Sequence, residues 1–199
     1  MINFYPFLIY VLVTTFTPGP NNIMSMTNAM RAGYRRTLRF LMGVLVGFFI
    51  VMLICGLLNV VLVSLLPQIQ YWLNILGAAY MVYLAVHTIL SKPVEDESKK
   101  IGMNTFKAGV LMQFLNLKVI LYGITVYAMF ITPSFQHPAS VSLFAPLLAA
   151  IGFIATSCWA LSGAVLSSFY RKNYRLFNLA MGAMLIYIAI HSLLSSKSV

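Results

Sequence analysis

Charge is what this sequence has least of. Only 8% of its 199 residues are charged and three are acidic, whereas 61% are hydrophobic. Soluble domains run near a quarter charged and half apolar, so a water-soluble globule and a disordered chain are both excluded. The net charge of +10 does not make a nucleic-acid binder either, because too few polar residues surround it to build a basic surface. Cysteine is scarce: Cys55 and Cys158 both fall inside apolar runs, which argues against a disulfide framework or a metal knot. The twelve methionines show no clustered ligand spacing, so no metal pathway is expected. Within the apolar runs there is no Asp/Glu pair, His-rich set or Ser–His–Asp arrangement. Neither an enzyme nor a metal- or cofactor-dependent protein is therefore expected. Residues 1–6 carry no basic stretch, and no small-residue cleavage site follows the first apolar run, so that run is expected to stay on the protein.

What is present is apolar and continuous. Runs at 4–24, 40–63, 71–90, 108–131, 142–168 and 176–194 each suffice for about 20 residues of membrane-spanning helix. A closed barrel would need alternating ten-residue strands. The expectation is an all-α polytopic membrane protein with six transmembrane helices, a single transmembrane domain over 1–199.

The connections sort by charge. Arg31, Arg35, Arg36 and Arg39 stand between runs one and two, Lys92, Lys99, Lys100 and Lys107 between three and four, and Arg171, Lys172 and Arg175 between five and six. Connections 64–70 and 132–141 hold no Lys or Arg. The positive-inside bias puts the three basic connections in the cytoplasm and both termini outside. All three carboxylates, Glu95, Asp96 and Glu97, share one connection. A proton relay built on membrane-embedded Asp or Glu is thus not available.

Runs three and six match at an offset of 104 residues: Asn74 with Asn178, Tyr83 with Tyr187 and His87 with His191. Each half then holds three helices and the second enters with inverted topology. Repeat one covers about 1–91, the connection about 92–107, and repeat two about 108–199. Inverted repeats place a substrate site near the midplane, where interrupted helices meet. In run one the interruption is Thr17-Pro18-Gly19-Pro20-Asn21-Asn22, and in run four Gln113-Phe114-Leu115-Asn116-Leu117-Lys118. The two prolines remove backbone donors, and the freed carbonyls must find protein, water or substrate.

Lys118 is the only basic residue inside a span. Either it meets an anionic guest such as a carboxylate, or it snorkels to the surface. Asn21, Asn22 and Asn116 either bond the substrate or tie the broken helices together. Pro18, Gly19 and Pro20 are expected to shape the site. Tyr80 and Tyr83 either line the cavity or pack. Gly43 and Gly47 form a small-xxx-small pair that marks close helix packing.

The segment Thr17 to Asn22, the basic stretch Arg31 to Arg39, the Gly43-xxx-Gly47 helix, the stretch Gly77-Ala78-Ala79-Tyr80-Met81-Val82-Tyr83-Leu84 and Asn116-Leu117-Lys118 together resemble the LysE/RhtB family of amino-acid exporters over nearly the whole chain. Residues 47–55, 119–123 and 158–161 are most similar to its cysteine/O-acetylserine exporter branch. Leu117 departs from the family pattern, where many members carry proline. The resemblance implies proton-gradient-driven export of small neutral amino acids across a bacterial inner membrane, with no cofactor and no nucleic-acid partner. The partners it implies are the amino-acid substrate and the lipid bilayer, with a homodimer left open. Export of homoserine, threonine, leucine or basic amino acids, or a small-solute channel, are the competing functions. On that footing the substrate-binding set is Pro18, Gly19, Pro20, Asn21, Asn22, Asn116, Lys118 and Tyr80, with Lys118 or the helix start after Pro20 taking the carboxylate.

Overall fold

The computed structural model describes residues 4–90, 104–135 and 137–195. Glu95, Asp96, Glu97, Lys92, Lys99 and Lys100 lie outside the described residues, as do the side chains of Asn74 and His191. The described chain is helical without a strand. Its elements are α1 (Phe4–Phe16), α2 (Pro20–Ala32), α3 (Tyr34–Leu57), α4 (Asn59–Leu90), α5 (Phe106–Leu115), α6 (Leu117–Val126), α7 (Pro138–Ser142), α8 (Phe144–Val165) and α9 (Ser167–Ser195). A π-helical turn, Tyr127–Ile131, extends α6.

By length and composition, α3, the stretch Pro138–Val165 and Lys172–Ile190 can each cross a membrane, and α5 with the bent stretch that follows it, Leu117–Ile131, is long and apolar enough for a fourth if the two count as one span. The outer faces agree with that solvent. In α3 the buried set Leu41, Val44, Phe48, Met52 and Cys55 follows helical spacing, yet the opposite stripe of Met42, Val46, Ile50 and Ile54 is exposed and just as apolar. A soluble helix would turn a polar face outward. The multi-pass membrane character is thus carried by the surface as well as by the core.

Two boundaries differ from the expectation. α2 runs on to Ala32 and α3 begins at Tyr34, so the first basic connection contracts to Gly33, and Arg31 belongs to a helix rather than a loop. Gly33 has φ 79° and ψ 162°, a conformation almost closed to residues with a Cβ. Residues 64–70, expected as a connection, are helical and part of α4, and the break after α3 lies at Leu58 instead. Buried Asn59 donates to the carbonyl of Ile124 at 3.2 Å and pins that break.

Glycines bring the helix backbones together. A Cβ on Gly47 would stand 2.9 Å from the Val110 backbone, and one on Gly43 or Gly109 would strike backbone across the α3–α5 seam. Gly163 gives α8 the same approach to Met26 of α2. The seams set α2, α3, α5 and α8 around the interruptions, while α4 packs along α9.

Candidate functional site

The site begins with an accounting problem. In a continuous helix Pro18, Gly19 and Pro20 would donate to the carbonyls of Thr14, Thr15 and Phe16, but the prolines have no N–H. α1 therefore stops at Phe16, and its last carbonyls need other donors. The protein supplies all of them. The Thr17 hydroxyl donates to Thr14 O at 3.0 Å, Asn22 Nδ2 to Thr15 O and Thr17 O at 2.9 Å each, and Trp159 Nε1 to Phe16 O at 3.1 Å. Lys118 Nζ reaches Thr17 O at 3.0 Å, Thr17 Oγ1 at 2.9 Å and Pro18 O at 3.4 Å. The freed carbonyls expected to face a substrate thus accept from the protein in this structure.

After the break Gly19 is extended and Pro20 opens α2, the first helical position where a missing N–H is harmless. Gly19 is also a matter of room. A Cβ there would stand 3.1 Å from Lys118 Cδ and 3.2 Å from Nζ, so the ammonium reaches the end of α1 because glycine leaves the path open.

The second interruption is sharper than its sequence suggests. α5 and α6 are bent by 63° although Leu117 stands where proline would be expected. The bend comes from Asn116, which is extended at φ −90° and ψ 96° and accepts from Lys118 N at 3.1 Å, capping α6. A side chain that satisfies the helix start does here what a proline does elsewhere. Lys118, the second residue of α6, sits at the bend between the two helices.

Amides join the two breaks. Asn21 and Gln113 exchange hydrogen bonds at 2.7 and 3.2 Å, and Asn116 Nδ2 donates to Asn21 Oδ1 at 3.1 Å. Asn21, Asn22, Asn116 and Gln113 all tie the helices together. Asn22 has an oxygen left over. Both of its Nδ2 bonds run to carbonyls, which only the amide nitrogen can do, so its Oδ1 is an acceptor still to be used.

Around this junction lies a cavity of about 40 Å³ lined by Thr14, Thr15, Gly19, Asn21, Asn22, Val44, Phe48, Asn116, Lys118, Val119, Tyr122, Gly152 and Thr156. That is room for about three water molecules at 10–15 Å³ each. Of the residues singled out from sequence, Gly19, Asn21, Asn22, Asn116 and Lys118 line it. Pro18 and Pro20 build the break without lining the cavity. Tyr80 is elsewhere: it stacks on Tyr83 with ring centres 6.2 Å apart and packs against the apolar cluster that holds Leu84, Ala85 and Leu185.

Sequence reasoning placed Gln113 in the second interruption without giving it a role, and it missed Phe48, Tyr122 and Thr156. Tyr122 stands four residues after Lys118, the spacing that puts two side chains on one helix face. Its ring is stacked on Tyr10 at 5.8 Å, and its buried hydroxyl meets no partner among the described residues. Thr156 spends its hydroxyl on Gly152 O and Phe153 O of its own helix and leaves no trace in an apolar run.

Comparison with known proteins identifies the family. A family model described as LysE type translocator matches residues 12–196. The chain is 40% identical over 184 residues to a cysteine/O-acetylserine efflux protein of Klebsiella pneumoniae, covering 92% of this chain and 93% of that protein. It is 37% identical to the protein of the same description from Escherichia coli, covering 92% and 94%. No solved structure matches. The chain belongs to the LysE type translocator family, and it is a membrane transporter rather than an enzyme.

Proposed function

We propose that this chain is a secondary exporter of small neutral amino acids, cysteine and O-acetylserine foremost, driven by the proton gradient across the inner membrane. The substrates follow the efflux proteins that it resembles at 37–40% identity. In this reading the helices form six spans in two inverted halves, about 1–91 and 108–199, joined by 92–107. The basic connections face the cytoplasm and both termini lie outside. Support comes from the placing of the interruptions: one helix of each half is broken, at Thr17–Gly19 and at Asn116, and the two breaks are bonded to each other. The pairing of α4 with α9 along their length fits their place as the third helix of each half.

The observation that carries the site is the Lys118 ammonium, held at a cavity wall by carbonyls and a hydroxyl and by no carboxylate among the described residues. A substrate carboxylate makes shorter, charge-assisted bonds and displaces the Thr17 and Pro18 oxygens. The substrate ammonium then takes Asn22 Oδ1 and the released carbonyls. Binding thereby exchanges the contact that ties α1 to α6, so occupancy of the site and the angle between the broken helices are linked. Alternating access follows as one half rocks on the other.

Proteoliposomes loaded with labelled amino acids, with and without an imposed pH gradient, test this. Saturable, gradient-accelerated efflux of cysteine or O-acetylserine is expected. Efflux of threonine or leucine in their place keeps the exporter and discards the substrate. Non-saturating conductance would make the chain a channel.

A further inference from the structure

A second cation lies in the protein interior, away from the cavity. Arg31, in the last turn of α2, is only 4% exposed. Its Nη2 donates to Thr88 O at 2.9 Å and to Asn178 Oδ1 at 3.3 Å. Thr88, in the last turn of α4, and Asn178, on α9, are themselves sealed, at 0% and 1% exposed. The Thr88 hydroxyl reaches Met24 Sδ at 3.8 Å, which carries the contact one further stretch along α2.

Burying a guanidinium is expensive, and helix ends help to offset that cost. Arg31 sits at the C-terminus of its own helix, and Thr88 O belongs to the last four carbonyls of α4, so two negative dipole ends converge on the charge. The planar fork lets one side chain hold a backbone carbonyl of α4 and an amide of α9 together. All three elements meet at the end of the molecule that carries the basic residues: Arg35, Arg36 and Arg39 begin α3, and Arg171, Lys172 and Arg175 begin α9.

We propose that Arg31 is the gating residue of the cytoplasmic end. While it holds Thr88 and Asn178, α2, α4 and α9 are closed on one another, and loading of substrate from the cytoplasm requires that hold to break. The inference rests on the exporter reading and on its orientation. The gate is also connected to the site. α2 carries Asn21 and Asn22 at its start and Arg31 at its end, about 15 Å apart along a rigid helix. It stands between two turning points, extended Gly19 and Gly33 at φ 79°. When Lys118 lets go of the α1 end, the movement of α2 pulls on Arg31.

The test uses the full-length protein in proteoliposomes, carrying Cys158→Ser and Cys55→Ala, with Thr27→Cys as reporter. Thr27 is buried, one turn before Arg31 on the same face of α2. The measurement is its rate of reaction with a small charged thiol reagent applied from the cytoplasmic side, in parallel with the Vmax and KM of amino-acid efflux. Slow labelling is expected with Arg31 in place. Arg31→Gln should label at least tenfold faster from the cytoplasmic face alone, with Vmax falling more than KM changes. Arg31→Lys and Asn178→Ala should fall in between, and Asn178→Ala carries the test if Arg31→Gln does not fold. Unchanged labelling with export intact, or equal acceleration from both faces, overturns the gate. A chain that moves no amino acid at all overturns the exporter reading and the gate with it, a result distinct from the other two.

Discussion

The two ends of α2 face the same physical problem and solve it for different purposes. At each end a cation lies away from bulk water, held by a carbonyl from another helix's C-terminal end. Lys118 holds the end of α1 and Arg31 the end of α4. The surroundings differ. Lys118 is half-buried on a cavity wall and uses all three donors of a compact, mobile ammonium, so a small anion can reach it and compete. Arg31 is sealed in a seam of three helices, and only movement of those helices uncovers it. A lysine suits a contact that a ligand exchanges, and an arginine one that bridges two helices. In both places the negative end of a helix dipole faces the charge.

The sharpest break of this comparison is Lys118→Met. Removing a charged hydrogen-bonding group worth about 1.5–3 kcal/mol in binding should lower export roughly 10- to 150-fold, with the variant still inserted and monodisperse. Export by Lys118→Met equal to the unaltered chain would remove the site. Arg31→Met should act on stability as well. It takes the Arg31 donor from Thr88 O in a dry seam, at about 1–3 kcal/mol, so thermal unfolding in detergent should begin several degrees lower. Lys118→Met should shift unfolding less, since water in the cavity can reach the carbonyls it abandons. Equal shifts would mean that the two cations do not differ in the way their burial implies.

A smaller effect is expected from Gly19→Ala. The added methyl crowds Lys118 Cδ and Nζ, and a few-fold rise in KM with little change in protein yield is the expected result. The smallest concerns Tyr122. Its buried hydroxyl has no partner among the described residues, so Tyr122→Phe, which keeps the ring against Tyr10 and Phe48, should leave thermal stability unchanged or raise it by up to about 1 kcal/mol. A clear loss of stability would show that the hydroxyl has a partner after all.

Much of this was legible along the chain. The apolar runs mark the helices, and Pro18 and Pro20 announce the first break because a missing N–H is a property of the residue itself. Gly43 was readable as a contact from its spacing to Gly47. Where reading along the chain failed, the deciding group came from elsewhere. Arg31 looks like one more loop cation until α2 is seen to run through it. The 64–70 stretch looks like a connection, but α4 runs through it from Asn59 to Leu90. Leu117 appears to soften the second break, but the Asn116 side chain bends the helix in place of a proline. Tyr80 shares its aromatic stretch with Tyr83 and packs there rather than at the cavity.

The sequence by itself determined the solvent and the secondary structure of this protein: too little charge for water, runs of the length a bilayer needs, and prolines that must interrupt a helix. These are local consequences of residue chemistry and need no partner. Which groups satisfy the interrupted backbone was decided only by tertiary structure. Lys118 stands 101 residues from Thr17 and Asn178 stands 147 from Arg31, and a hydrogen bond depends on where the fold brings donor and acceptor, whatever their distance along the chain.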